Sequence, residues 1–369
     1  MKIGIMSMQR IINYGSFLQA YGLKKIIENL GHNVEFVDYL IEPPVVADVK
    51  QRDNSQFKRI YNLFKIIFSC KYRKKRNYDI KQNSAFSSFY RRFENEWLPI
   101  LGVTKENNYL PELDTLVIGS DEVFNCTQPG DKVGYSLQLF GKDHKADKLI
   151  SYAASFGSTT FEKLEKYGKQ EEIGNLLNKF SAISVRDNNS HKIVEKLTNK
   201  SISDNIDPVL LYDFEDEVNH KIDLENYVVV YAYSGRISET EAKAIQSFAH
   251  KHNKKTLSIG IMQAFTDEYV CVEPFEMLSY IKNADYIITD TFHGTVFSIK
   301  YQIPFATIIR ESNKEKLTDL LDKFALSGRR VNSLEDLEKI AIQPMNKYEI
   351  KEKIESYQMV AKKYLEENL

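Results

Sequence analysis

The segment I-T-D-T-F-H-G-T, residues 288–295, gathers a carboxylate, hydroxyls, an imidazole and a glycine within eight positions. An apolar run precedes it, so Asp290, Thr291 and His293 fall just past the C-terminal end of a strand. Open α/β sheets bind their ligands at such strand ends. Histidine's unperturbed pKa of about 6.5 suits it to proton transfer, and a neighbouring carboxylate such as Asp290 can orient the ring. Gly294 lets the chain turn tightly into a following helix, whose first N–H groups are free to meet an anion. The pattern predicts a proton-transfer group, His293, beside an anion site. A strand-end histidine bonded to a backbone carbonyl is the plainer alternative.

Three more strand ends carry polar groups. In I-N-Y-G-S-F-L-Q-A-Y (12–21), Asn13 and Tyr14 occupy a β-to-α loop, and Gly15 permits close backbone approach to a ligand. Ser16 there can simply cap the helix. No full GxGxxG is present, which argues against a dinucleotide fingerprint. In V-I-G-S-D-E-V-F-N (117–125), Ser120 and Asp121 reach the same edge, with an Asx-type turn as the alternative. S-V-R-D (184–187) contributes Arg186, and Arg310 follows the run P-F-A-T-I-I. Either guanidinium can clamp a phosphate or carboxylate with two hydrogen bonds, or form an ion pair between domains. There is no zinc-type histidine pair, GxSxG elbow or Walker loop, so no metal site is expected.

Alternating buried runs and amphipathic stretches must hold these strand ends. Residues 2–6, 34–39, 114–119, 149–155 and 182–187 read as strands of one parallel sheet, with a helix over 15–30 closed by Gly31. A second set has strands at 227–234, 255–260, 285–290 and 304–309, interleaved with helices. A length of 369 residues suits two such units. The fold expected is α/β, with two facing Rossmann-like doubly wound domains and a cleft between them. The first is 1–187, carrying a basic insertion at 45–100, and the second is 188–346, joined around 188–206. Residues 347–369 form an amphipathic helix expected to cross back and brace the first domain.

With 50 basic and 51 acidic residues the net charge is −1, which gives no sign of a nucleic-acid partner. The three cysteines are scattered, which excludes a disulfide framework and suits a reducing cytoplasm. The apolar stretch in MKIGIMSMQR is too short for a signal peptide, and no run is long enough to span a bilayer. One segment breaks the even charge. Residues 57–81 hold nine Lys or Arg against a single acid, Asp79, with Phe57, Ile60, Phe64 and Ile67 on one helical face. Such a helix can lie on a membrane surface, or it can pack as an insertion with solvated charges.

Taken in order, NYGSFLQAYGL, LVIGSDEVFN, SYAASFG (151–157), SVRD with Ser190 after it, DPVLL and ADYIITDTFHGTVFSIKYQIPF (284–305) resemble the polysaccharide pyruvyl transferase family. The resemblance spans roughly residues 2–330. It implies a GT-B-like fold, phosphoenolpyruvate as donor substrate with no cofactor, and a hexose or N-acetylhexosamine of a surface-glycan precursor as acceptor. Pyruvate would be attached as a ketal, on a lipid-linked acceptor at the inner face of the cytoplasmic membrane. A catalytic histidine maps onto His293 and a donor-holding arginine onto Arg186. Some members carry Arg-Leu-His where this chain has Thr291-Phe292-His293. Either Thr291 and the helix N-terminus then grip the donor with help from Arg310, or the donor binds differently; Phe292 and Gly294 are further substrate-binding candidates. Asp121 is a candidate for protonating the donor's methylene carbon. A nucleotide-sugar glycosyltransferase of the same fold and a non-catalytic glycan-binding subunit are the alternatives.

Overall fold

The computed structural model describes residues 1–46, 70–128 and 135–369, and for 70–79 the backbone alone. Two six-stranded sheets, parallel throughout, organise the chain. The first comprises β1 (Lys2–Met6), β2 (Asn33–Phe36), β3 (Glu112–Asp121), β4 (Lys145–Ala154), β5 (Ile183–Val185) and β6 (Ile202–Asp204), in the order β2-β1-β3-β4-β5-β6. The second comprises β7 (Tyr227–Tyr231), β8 (Lys255–Ile259), β9 (Glu268–Val270), β10 (Tyr286–Thr289), β11 (Phe305–Ile308) and β12 (Arg330–Val331), ordered β12-β11-β10-β7-β8-β9. The central strands read as unbroken apolar runs, such as YVVV in β7, because helices cover both sheet faces. This is the α/β, GT-B-like pair of doubly wound units expected from the sequence.

Strand order reverses between β1 and β3 in the first sheet and between β7 and β10 in the second. At such a reversal, neighbouring loops diverge to opposite faces and leave a crevice at the strand ends. The helices that matter here are α1 (Tyr14–Asn29), α2 (Cys70–Arg92), α3 (Asn188–Leu197), α4 (Glu239–Lys251), α5 (Phe292–Tyr301), α6 (Lys314–Lys323) and α7 (Lys347–Asn368).

One boundary differs from the sequence reading. The first sheet does not end at residue 187: α3 returns the chain to β6, which pairs with β5 through Ile183↔Ile202 and Val185↔Asp204. The segment read as a joint is therefore a further β-α-β step, and the passage to the second sheet follows Asp204. Residues 57–69 of the basic stretch, with the apolar face read there, lie outside the described residues. Among the described residues no helix is long and apolar enough to cross a membrane.

The two units share an apolar core. Phe17 and Tyr21 of α1 meet Phe275 of the second unit with ring centroids 5.9 and 4.9 Å apart. The last helix, α7, returns from the second unit to the first. Lys353 donates to the Lys323 carbonyl at 3.3 Å, and the Tyr364 hydroxyl donates to the Ser151 carbonyl of β4 at 2.7 Å.

Candidate active site

Both strand-order reversals open into one cleft of about 240 Å³. The first unit supplies Asn13 and Ser16 after β1, and Asp121 and Glu122 at the end of β3. The second supplies Tyr233 and Arg236 after β7, Phe292 and His293 after β10, and Asn313 and Lys316 after β11.

His293 sits in the first turn of α5, which Thr291 caps by accepting the Gly294 N–H at 2.9 Å. A β-carbon on Gly294 would lie 2.2 Å from the Thr289 hydroxyl, so this turn accepts glycine alone. Across the cleft, a β-carbon on Gly15 would fall 2.3 Å from Cγ and Nδ1 of His293. Gly15 thus makes room for the imidazole; it was read as a point of ligand approach, and the ring occupies that space. Gly15→Ala is expected to displace the ring and cut turnover about 10²-fold, the scale of an ångström's misplacement. Turnover measured beside thermal unfolding separates a displaced ring from an unfolded protein.

The carboxylate facing His293 is Asp207, whose Oδ2 lies 3.5 Å from Nε2, within ion-pair reach but with no hydrogen bond between them. Asp207 also caps the helix at Pro208–Leu211, accepting the Val209 N–H at 3.0 Å, and takes Arg186 Nη1 at 2.7 Å. Burial would push its carboxyl up, but His293 and Arg186 outweigh burial and hold it below the usual carboxylate range. Asp290, expected to orient the ring, does something else. Fully buried, it pairs with Arg236 Nε at 3.0 Å and Arg310 Nε at 3.2 Å. Burial raises its carboxyl despite both arginines.

The two arginines expected to hold a donor are both engaged by acids. Arg310 forks onto Glu241, Nη1 to Oε1 at 2.7 Å and Nη2 to Oε2 at 3.1 Å, and does not line the cleft. Arg186 is 4 % exposed, bridges Asp207 and Asp121 (Nη2 to Oδ1, 3.3 Å), and stacks 4.1 Å from the Phe292 ring centroid. It organises two acids behind the cleft wall. Ser120 is likewise internal: its hydroxyl donates to Gln19 Oε1 at 2.5 Å.

The remaining expected residues divide. Asn13 and Asp121 line the cleft; Asn13 caps α1 by accepting the Ser16 N–H at 2.7 Å, and Asp121 accepts the Ser16 hydroxyl at 3.2 Å. Phe292 lines it too. Tyr14 and Thr291 face an adjoining apolar cavity, the Tyr14 hydroxyl donating to the Val272 carbonyl at 2.6 Å.

Two cations in the cleft were not read from the sequence. Arg236 reaches the Ser312 hydroxyl through Nη2 at 3.2 Å while its Nε holds Asp290. Lys316 pairs across the cleft with Glu122, whose carboxyl stays low because Lys316, Asn125 and Arg186 overcome its burial. Neither sits in a pattern: G-R-I-S and N-K-E-K look like any polar loop and helix start. The arrangement places an imidazole with a carboxylate behind it in one cleft with two cations, which suits proton transfer on an anionic ligand.

The chain matches no curated protein sequence. Among solved structures it is similar to S. aureus MnaA with UDP at 10% identity, covering 98% of this chain and 90% of that one, with a TM-score of 0.48. It is similar to Arabidopsis thaliana UGT89C1 complexed with quercetin at 10% identity, covering 99% and 98%, TM-score 0.47. It also resembles a Thermobaculum terrenum O-GlcNAc transferase mutant at 10% identity and TM-score 0.45, covering 99% of this chain but 65% of that one. The model of the polysaccharide pyruvyl transferase family matches residues 13–312, from Asn13 at the cleft's first loop to Ser312 at its last. With most of its length so matched, the chain belongs to the polysaccharide pyruvyl transferase family.

Proposed function

We propose that the protein transfers pyruvate from phosphoenolpyruvate to two hydroxyls of a hexose or N-acetylhexosamine in a surface-glycan precursor, as a ketal. The observation that carries the reading is the cleft itself, where His293 backed by Asp207 shares one space with Arg236 and Lys316. In this chemistry the methylene carbon gains a proton and C2 accepts the first hydroxyl oxygen. The bond from C2 to the phosphate oxygen then breaks, and the second hydroxyl oxygen closes the ketal. Two hydroxyl protons are lost; one balances the new methyl hydrogen and the other leaves on phosphate. His293 takes hydroxyl protons, and the ionised Asp207 stabilises the imidazolium that forms. Arg236 and Lys316 hold phosphate and carboxylate, assisted by the first N–H groups of α5. Arg236 so supplies the guanidinium that Thr291 does not. Asp121, which lines the cleft, is the candidate for protonating the methylene carbon.

The deciding experiment incubates the protein with phosphoenolpyruvate and a panel of glycosides, watching for phosphate release and a mass gain on the sugar. Phosphoenolpyruvate alone should raise the melting temperature, since a ligand preferring the folded state stabilises it. Arg236→Ala should weaken that binding about 10–100-fold, the worth of a charged hydrogen bond. Stabilisation by nucleoside diphosphates but not by phosphoenolpyruvate would point to a nucleotide-sugar glycosyltransferase instead.

The same proposal takes the acceptor as lipid-linked and the basic stretch 57–81 as a contact with the inner membrane surface. Each basic residue near an anionic surface is worth about 1 kcal/mol. Sedimentation should show binding to anionic but not neutral vesicles, weakening as salt rises. No binding to anionic vesicles at low salt retires the membrane contact.

A further inference from the structure

The cations around the cleft are already committed to acids. Arg186 bridges Asp121 and Asp207, Arg236 holds Asp290, and Lys316 holds Glu122. Arg310 behind them is matched by Glu241. A phosphate or carboxylate entering here therefore meets no surplus of positive charge. Of these pairs, Glu122 with Lys316 is the one that crosses from the first unit to the second.

Each partner of that pair is placed without the other. Lys316 lies in the first turn of α6, with its ammonium 5.6 Å from the Phe292 ring centroid. Glu122, just past β3, is fixed from its own side: Oε2 accepts the Asn125 amide at 2.7 Å. Gly157, at φ +55°, makes room for it, since a β-carbon there would run into Oε2. Among the described residues Glu122 is the one acid that pairs with Lys316. An anion drawn to Lys316 thus comes up against the other oxygen of Glu122. Two carboxylate-like charges crowded onto one buried cation do not both stay ionised, and one keeps a proton. Asp121 and Asp207 remain charged because Arg186 stays with them.

We propose that Glu122 is an internal rival for Lys316: an anionic ligand enters by taking that cation over, and Glu122 accepts a proton as it lets go. The inference rests on the reading of the donor as an anion bound at Lys316. The groups facing Glu122 are Lys316 of α6, Arg186 after β5 and Tyr233 after β7, beside its neighbour Asp121. Burial would push the Glu122 carboxyl up, but Lys316, Asn125 and Arg186 hold it below its usual range. Once Lys316 turns to the ligand, burial wins. The bound form then keeps a proton at pH values where the free form has lost it, so affinity rises as pH falls through that window.

Calorimetric titration of the whole protein tests this, with phosphoenolpyruvate and, separately, inorganic phosphate, in buffers of differing ionisation enthalpy. At pH 6 the wild type should take up about one proton more per anion than Glu122→Gln. The glutamine keeps the shape and can still accept from Asn125, but it carries no charge. At pH 8 it should bind the anion about tenfold more tightly than the wild type, the scale of one charged hydrogen bond. The two affinities should converge toward pH 5. The ligand's own titration is common to both proteins and cancels. Lys316→Met, which strips Glu122 of its cation beforehand, should bind more weakly and lose the same extra proton. Weaker binding by Glu122→Gln overturns the proposal and leaves Glu122 as a positioning residue for Lys316. Equal proton uptake in all three proteins also overturns it, and phosphoenolpyruvate binding in that case removes this inference alone. Inorganic phosphate that binds with the extra proton while phosphoenolpyruvate does not bind removes the pyruvyl-transfer reading and keeps the exchange at Lys316. Binding of neither anion to wild type or Glu122→Gln removes both.

Discussion

Replacing His293 with alanine should lower turnover by about 10²–10⁴-fold, the usual worth of a general acid–base group, and leave the protein folded. The imidazole lines the cleft, with Gly15 against one edge and Asp207 3.5 Å from Nε2. Its removal takes away the proposed proton acceptor but none of the α5 cap, which belongs to Thr291 and Gly294. Phosphate release from phosphoenolpyruvate in the presence of acceptor measures the loss, and an unchanged unfolding midpoint shows that the fold survives. An alanine variant that turns over like the wild type would end His293's assignment. Asp207→Asn should also slow turnover, because the imidazolium loses its counter-charge, whereas Asp290→Asn should act through its partners Arg236 and Arg310.

Arg186→Met should cost about 3–5 kcal/mol of stability, the scale for stripping one partner from a buried ion pair. Methionine keeps much of the volume against Phe292 and removes the charge. Asp121 and Asp207 then face each other's surroundings without the cation that bridges them. The pH dependence gives the cause away. In the wild type the Asp207 carboxyl is held low, so its contribution is present above the ordinary carboxylate range and fades as pH falls through the lowered value. Without Arg186 that carboxyl rises, so the variant gains from protonation on acidification. The stability gap between the two proteins should therefore narrow from pH 7 toward pH 4 in denaturant titrations. A variant as stable as wild type that loses phosphoenolpyruvate affinity would return Arg186 to the donor-gripping role implied by the family resemblance.

The fold was legible wherever a strand is buried on both faces. Runs such as YVVV and YIIT can hardly be placed elsewhere, and the helical spacing after each sets the α/β alternation. The strands missed were β6, β9 and β12, three, three and two residues long, too short for any period to show. Missing β6 moved the domain boundary. At the site, the strand end carrying His293 was legible because a glycine and a polar cluster follow an apolar run. The partners were not. Asp207 is 86 positions from His293, and its Asp-Pro start explains itself as a helix cap, so nothing local hints at a second role. Arg186, Arg310 and Asp290 show the same difficulty from the other side. A charge at a strand end reads equally as a ligand grip or as half of an ion pair, and only the facing of the two sheets decides.

The chain passes between its two units twice, once between Asp204 and Tyr227 and once along α7, between Lys353 and Tyr364. The cleft walls therefore cannot part freely: separating them strains the contact of α7 with Lys323 on one side or with Ser151 on the other.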